Sequence, residues 1–186
     1  MTTATLASVR SRSFAFVLGS PRGGGNTETL ARYAAEGLPP DVTGSWLDLS
    51  TLPLPAQPAG PVPSGPEKVL LDATLDSTDI VVASPLHWYS VSAATKLYLD
   101  YWARWSGLPD VSFRDRMRGK NLWAVTAYAR GDDTDAEPLT GMLRRTADYL
   151  GMEWRGALLA RAHRPGDIEA DPAALDRAAA FFDVGH

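Results

Sequence analysis

Five alternations of a short apolar run with a segment of helical period predict an α/β fold: a parallel five-stranded sheet covered by helices on both faces, joined by right-handed crossovers. Two further observations agree. Asp79-Ile80-Val81-Val82-Ala83-Ser84 is an almost unbroken apolar run, as the middle of a parallel sheet requires. Glycine or proline closes most of the intervening helices. At 186 residues the chain supports one sizeable core and not two. One domain over residues 13–186 is expected, after a disordered tail at 1–12 whose Leu6 and Val9 give no periodic face.

The elements follow in order. Phe14 to Leu18 is the first strand, and Thr27 to Gly37 the first helix, with Leu30, Tyr33, Ala34 and Gly37 at i, i+3, i+4 and i+7. Gly37-Leu38-Pro39-Pro40 stops it. Ser45 to Leu49 is a short second strand. Thr51 to Pro66, carrying Pro53, Pro55, Pro58, Pro61, Pro63 and Pro66, is a stiff extended connection, either one wall of a cleft or a solvent-exposed loop without a role. Glu67 to Leu75 is a helix with Val69, Leu70 and Ala73 inward, followed by the third strand, Asp79 to Ser84, which Pro85 ends.

Beyond the loop Leu86 to Ser92, a helix to about Trp105 sets Leu97, Tyr98, Tyr101, Trp102 and Trp105 on one broad face. Such a stripe is first of all core, and any excess over one sheet face points to a subunit interface. Asn121 to Tyr128 is the fourth strand. Asp135 is placed to cap the next helix, with Pro138 in its first turn and Leu139, Met142, Leu143, Thr146 and Leu150 inward. Arg155 to Ala162 is the fifth strand, and Asp171-Pro172 opens a last helix that buries Leu175, Ala178, Ala179 and Phe182.

The stretch Gly19-Ser20-Pro21-Arg22-Gly23-Gly24-Gly25-Asn26-Thr27 carries the chemistry. Glycines turn backbone N–H groups inward, Ser20 and Thr27 add hydroxyls, Arg22 adds a two-pronged donor, and the helix behind contributes its positive end. Such a turn holds a phosphate. It lacks the Gly-Lys-Ser/Thr of a nucleoside triphosphate loop and the G-x-G-x-x-G of a dinucleotide site. In open parallel sheets ligands lie beyond the carboxyl ends of the strands, so the loops after strands one, three and four converge on one site.

Composition removes other classes. The 18 basic and 22 acidic side chains give a net charge of −4 without a basic tract, which argues against nucleic acid. No cysteine is present, so disulfides, thiolate metal sites and cysteine nucleophiles are absent. Neither a signal peptide nor a bilayer-spanning run is visible, and a cytoplasmic location without membrane association is expected. Ser20 has no G-x-S-x-G elbow, and no ligand cluster suggests a metal. His163 and Arg164 follow strand five on the carboxyl side of the sheet, where they could touch a nicotinamide phosphate, and read first as surface residues.

Two loops together resemble the NADPH-dependent FMN reductase branch of the flavodoxin-like flavoproteins. They are Gly19-Ser20-Pro21-Arg22-x-x-Gly25-Asn26-Thr27, and Ser84-Pro85-Leu86-His87-Trp88-Tyr89-Ser90-Val91-Ser92-Ala93 followed by Lys96 and Asp100. The order of elements agrees from about Ser13 to Asp183. The resemblance implies a flavodoxin-like three-layer sandwich with sheet order 2-1-3-4-5. It implies FMN with its phosphate at Ser20, Arg22, Gly25, Asn26 and Thr27, and its ring against Pro85, Leu86, His87, Trp88, Tyr89 and Ser90. By position alone, Tyr128, Arg130 and Gly131 join them. His87 stands where the family usually has tyrosine, and Tyr101 where it has arginine.

The implied activity passes a hydride from NADPH or NADH through FMN to a small electron acceptor, such as a quinone, another flavin or a nitro- or azo-aromatic compound. Two other readings are a flavodoxin-like electron-transfer module reduced by a partner protein, and a binding protein that kept the fold without the flavin. Lys96 and Asp100, at i, i+4, read as a local ion pair. A homodimer involving the aromatic-striped helix is expected.

Overall fold

In a computed structural model, residues 11–58 and 60–183 are described. Strands β1 (Ser13–Leu18), β2 (Thr43–Asp48), β3 (Asp79–Ala83), β4 (Asn121–Tyr128) and β5 (Glu153–Arg161) form one parallel sheet in the order β2-β1-β3-β4-β5. This is the expected flavodoxin-like order, and strand ends move by at most two residues from those read in the sequence. Of the expected tail, residues 1–10 lie outside the described residues, whereas Arg12 is anchored in the fold.

Alternation along each strand divides the core into two layers. On one face Ala15, Val17, Ile80, Val82, Leu122 and Ala124 meet α2 (Gly65–Asp76), α3 (Ala93–Ser106), α4 (Phe113–Met117) and α5 (Glu137–Leu150). On the other, Phe14, Phe16, Val81, Trp123 and Val125 meet α1 (Asn26–Glu36) and α6 (Pro172–Ala179). None of the described helices is long and apolar enough to cross a membrane.

Several expectations are corrected here. Val69 is 48% exposed, because the inward stripe of α2 is Leu70, Leu71, Thr74 and Leu75, about a hundred degrees around the helix. Ala179 is exposed, and Phe182 reaches the core from the turn after α6. Asp135 caps nothing: Asp132 accepts from Thr134 N and opens a 3-10 turn, Asp133–Ala136, which runs directly into α5. The short α4 was not anticipated, since two buried side chains, Phe113 and Met117, make no periodic signal.

The aromatic stripe of α3 is consumed within the monomer. Tyr98, Tyr101, Trp102 and Trp105 are all at most 3% exposed, so they leave no excess for a subunit interface. Tyr101 donates its hydroxyl to Pro55 O at 2.7 Å, and Arg104 reaches both Glu67 (2.7 Å) and Gly60 O (2.6 Å). These bonds fasten the proline-rich segment onto α3. That segment walls a small apolar cavity, where Leu52, Pro53 and Leu54 face Ala94 and Leu97. Lys96 and Asp100 pair along the exposed side of α3, as their spacing implies.

At the amino edge of the sheet, Asp79 is fully buried and gathers Arg12 (2.9 Å), Asn121 Nδ2 (2.9 Å), Trp123 Nε1 (2.9 Å) and the Thr78 hydroxyl (2.7 Å). Burial, the largest influence, pushes its carboxyl up, but bonds from Arg12, Thr78 and Trp123 with the Arg12 charge outweigh it, leaving the pKa below its ordinary value. A carboxyl depressed on folding stabilises above its unfolded pKa near 4 and loses that contribution as pH falls through the folded value. Asp79→Ala is therefore expected to cost about 3 kcal/mol at pH 7, with the gap from wild type narrowing below about pH 4, as measured by urea unfolding across pH.

Candidate functional site

The carboxyl ends of β1, β3, β4 and β5 carry the site. After β1 the chain passes close to the start of α3: Gly19 N donates to Ala83 O at 2.8 Å, and a Cβ at Gly19 would fall on the Thr95 hydroxyl. That hydroxyl is buried beside Ser92 Oγ, 3.0 Å away, which also accepts from Thr95 N and so caps α3. Ser84 Oγ accepts from Ser92 N at 2.9 Å. Three buried hydroxyls thus lock both ends of the loop after β3 against the start of the glycine-rich loop.

Ser20, Arg22, Gly25, Asn26 and Thr27 line one cavity of about 410 Å³ with Pro85, Leu86 and His87. The expected residues of the two loops therefore come together. Their polar atoms divide into shaping and available groups. Ser20 Oγ donates to Arg22 O at 2.8 Å, and Asn26 Nδ2 donates to Arg164 O at 3.1 Å, so both hold the loop in shape. Thr27 Oγ1 accepts from Ala127 N at 3.4 Å, which keeps its proton free to donate. Among the described residues, the Gly23 and Gly25 N–H groups and the Arg22 guanidinium meet no protein acceptor, and Gly25 opens α1 without any side-chain cap. Unspent N–H groups at a helix start beside an unpaired guanidinium form a donor set for an anion.

A second cavity of about 460 Å³ shares Leu86 and Ala129 with the first and adds Trp88, Tyr89, Tyr128, Arg130, Gly131 and Asp135. Ser90 lines neither. It closes a tight turn instead: His87 N donates to Ser90 O at 2.8 Å and Ser90 N to His87 O at 3.0 Å. Both central residues of this turn are left-handed, Trp88 at φ 49° and Tyr89 at φ 64°, as in a type I′ turn. Neither aromatic side chain favours that backbone. Trp88 is 94% exposed, set at the cavity rim by the backbone bonds of the turn rather than by packing.

On the far wall Tyr128 donates to Asp133 at 2.6 Å. Burial and then the Asp133 carboxylate push its phenol up to about 12, so it stays protonated at neutral pH. Gly131, at φ 80°, holds a left-handed backbone that any side chain would strain, and the Asp135 carboxylate lies against it.

The sequence reading underrated the end of β5. Ala162, His163 and Pro165 line the first cavity, in a turn where Asp167 accepts from His163 N (2.8 Å) and Arg164 N (2.7 Å). Those backbone bonds, from Arg164 first, hold the Asp167 carboxyl below its usual range. The available signal was the carboxylate a few positions after a strand end, which marks an ordered turn rather than a loose surface. No cluster of metal-ligating side chains occurs among the described residues.

A family model described as NADPH-dependent FMN reductase matches residues 13–157. A Bacillus subtilis protein named "Putative NAD(P)H-dependent FMN-containing oxidoreductase YwqN" is 26% identical over 174 residues, spanning 88% of this chain and 93% of its own length. Among solved structures, the Trp repressor binding protein from Bacillus subtilis superposes with a TM-score of 0.77 at 23% identity, over 93% of this chain and 99% of that one. The NAD(P)H:quinone oxidoreductase from Methanothermobacter marburgensis gives 0.68 at 14% identity, over 95% and 97%. At those identities the two structures speak to fold alone.

Replacing Trp88-Tyr89 by Asn-Gly, the pair that a type I′ turn prefers, is expected to stabilise the free protein by about 1–2 kcal/mol in denaturant unfolding. Unchanged or lower stability would show that the two aromatics carry no strain.

Proposed function

The chain belongs to the NADPH-dependent FMN reductase family, and we propose that it passes a hydride from NADPH or NADH through bound FMN to a small acceptor such as a quinone, another flavin or a nitro- or azo-aromatic compound. The observation that carries this reading is the adjacency of two cavities of different chemistry. One is lined by unspent backbone donors and Arg22, the other by Trp88, Tyr89 and Tyr128 together with Arg130 and Asp135, and they meet at Leu86 and Ala129. A phosphorylated aromatic cofactor needs that pairing.

The residues present fit FMN. The Gly23 and Gly25 N–H groups, the first N–H groups of α1, the Thr27 hydroxyl and Arg22 would hold the phosphate, with Ser20 and Asn26 keeping the loop in register. Pro85, Leu86, His87 and Trp88 would pack on the ring, and the Tyr128 to Gly131 segment would face it from β4. When bound, FMN supplies the hydride chemistry itself. The protein's part is to bind and orient, and no general acid or base is required of it. Trp88 and Tyr89 stand exposed at the cavity rim, and Tyr128 keeps a fixed, neutral hydroxyl beside it.

The three carboxylates after β4 raise the electron-transfer alternative, because acidic surroundings disfavour a second electron on a flavin. Asp132 and Asp133 are engaged, on Thr134 and the Tyr128 hydroxyl, and Asp135 packs against Gly131. These bonds fix the shape of the wall, and the two-electron reading is carried by the family to which the chain belongs. A cytoplasmic homodimer completes the proposal. Its aromatic contact surface would be Trp88 and Tyr89, since the α3 stripe is already buried.

With FMN-loaded protein under anaerobic conditions, NADPH or NADH is expected to bleach the bound flavin within seconds, and initial rates against a quinone are expected to give parallel double-reciprocal lines. Flavin that binds and stays oxidised would overturn the reductase reading in favour of the electron-transfer module. Arg22→Ala is expected to weaken FMN binding roughly tenfold or more, measured by quenching of flavin fluorescence.

A further inference from the structure

We propose that Glu28 is a positioning residue that sets the shape of the phosphate-holding loop from outside the cavity. The proposal rests on the FMN reading above. Glu28 lies in the first turn of α1, and one carboxylate oxygen accepts from Gly24 N at 2.8 Å. The other accepts both Arg32 Nε (2.9 Å) and Arg32 Nη2 (2.7 Å). Arg32 in turn lies 4.3 Å over the Trp46 ring, which stacks on the buried Phe16 ring at 4.2 Å. A continuous chain of contacts therefore runs from the loop backbone into the core of β1.

The direction of the Gly24 bond gives this chain its role. Gly23, Gly24 and Gly25 line the first cavity and Glu28 does not, so the Gly24 N–H points away from the cavity. Gly24 sits at φ 67°, a left-handed conformation that a flexible glycine tract would leave frequently. Pinned there, it leaves its neighbours' N–H groups for the cavity. Three tethers hold the loop, the Ser20 hydroxyl at Arg22, the Glu28 carboxylate at Gly24 and the Asn26 amide at Arg164 O, and that of Glu28 acts on the middle of the glycine tract. Ordering before binding lowers the entropy lost on binding.

A carboxylate so close to a dianion site would by itself repel the ligand. Arg32 removes that cost by pairing with Glu28, whose side chain is only 12% exposed. Neither residue touches the ligand cavity. Their effect is exerted through the backbone of Gly24 and through local charge.

Riboflavin, which lacks the phosphate, separates this role from general stability. Dissociation constants for FMN and riboflavin are measured by fluorescence quenching for wild type, Glu28→Ala, Glu28→Gln, Glu28→Asp and Arg32→Gln, with the melting temperature of each flavin-free protein. Glu28→Ala is expected to weaken FMN binding roughly tenfold while riboflavin binding stays within about twofold of wild type. Glu28→Gln keeps an acceptor for Gly24 N and restores most of the loss. Glu28→Asp, shorter by one methylene, behaves like the alanine variant. Arg32→Gln leaves the carboxylate charge less neutralised and weakens FMN more at low than at high ionic strength. An unchanged ratio of FMN to riboflavin affinity in Glu28→Ala and Glu28→Asp would overturn the proposal while leaving the FMN reading intact. A wild type that shows no preference for FMN over riboflavin would overturn the FMN reading and this proposal with it.

Discussion

At Gly19 there is no room for a side chain, and the site depends on that fact. The backbone leaving β1 runs directly against the buried Thr95 hydroxyl at the start of α3. The same hydroxyl bonds Ser92, and Ser84 accepts from Ser92 N, so the loops after β1 and β3 are held by one small polar cluster. Because the strands are parallel, these loops already leave the sheet at the same edge. Gly19 converts that general convergence into a fixed separation, with the donor-lined cavity on one side of Leu86 and the aromatic one on the other.

The two edges of the sheet do different work. At the amino edge the polar groups are satisfied: Asp79 takes bonds from Arg12, Thr78, Asn121 and Trp123 and ties β1, β3 and β4 together. At the carboxyl edge, the Gly23 and Gly25 N–H groups and Arg22 are left without partners among the described residues, and Trp88-Tyr89 is held in a turn that glycine would occupy more comfortably. Unspent donors and local strain are what a binding site carries in place of stability.

Fold class was legible because burial on both faces of a parallel sheet writes short apolar runs into the sequence, and β3 shows this most plainly. Strand order was not contained in that periodicity; it followed from the resemblance of the two loops. Where helical spacing was misread, one position sufficed: Val69 and Leu70 differ by about a hundred degrees, and only one points inward. The α3 aromatics could be assigned to a face but not to core or interface, since that depends on how much of them α2, α4 and the proline-rich segment cover. Within the site, residue types identified the loop, but not which hydroxyls and amides it uses on itself. Ser20 and Asn26 are committed to Arg22 O and Arg164 O. His163 could be placed at the carboxyl end of β5 but not in the cavity, because that position is set by a turn closed by Asp167, a tertiary fact without local period.

The most direct test of the account is a crystal structure of the FMN complex. The phosphate is expected within hydrogen-bond distance of the Gly23 and Gly25 N–H groups and of Arg22, with the ring against Pro85 to Trp88 and the loop after β4 on its other side. A phosphate bound away from the glycine-rich loop, or a ring that does not touch the Pro85 to Trp88 segment, would contradict it.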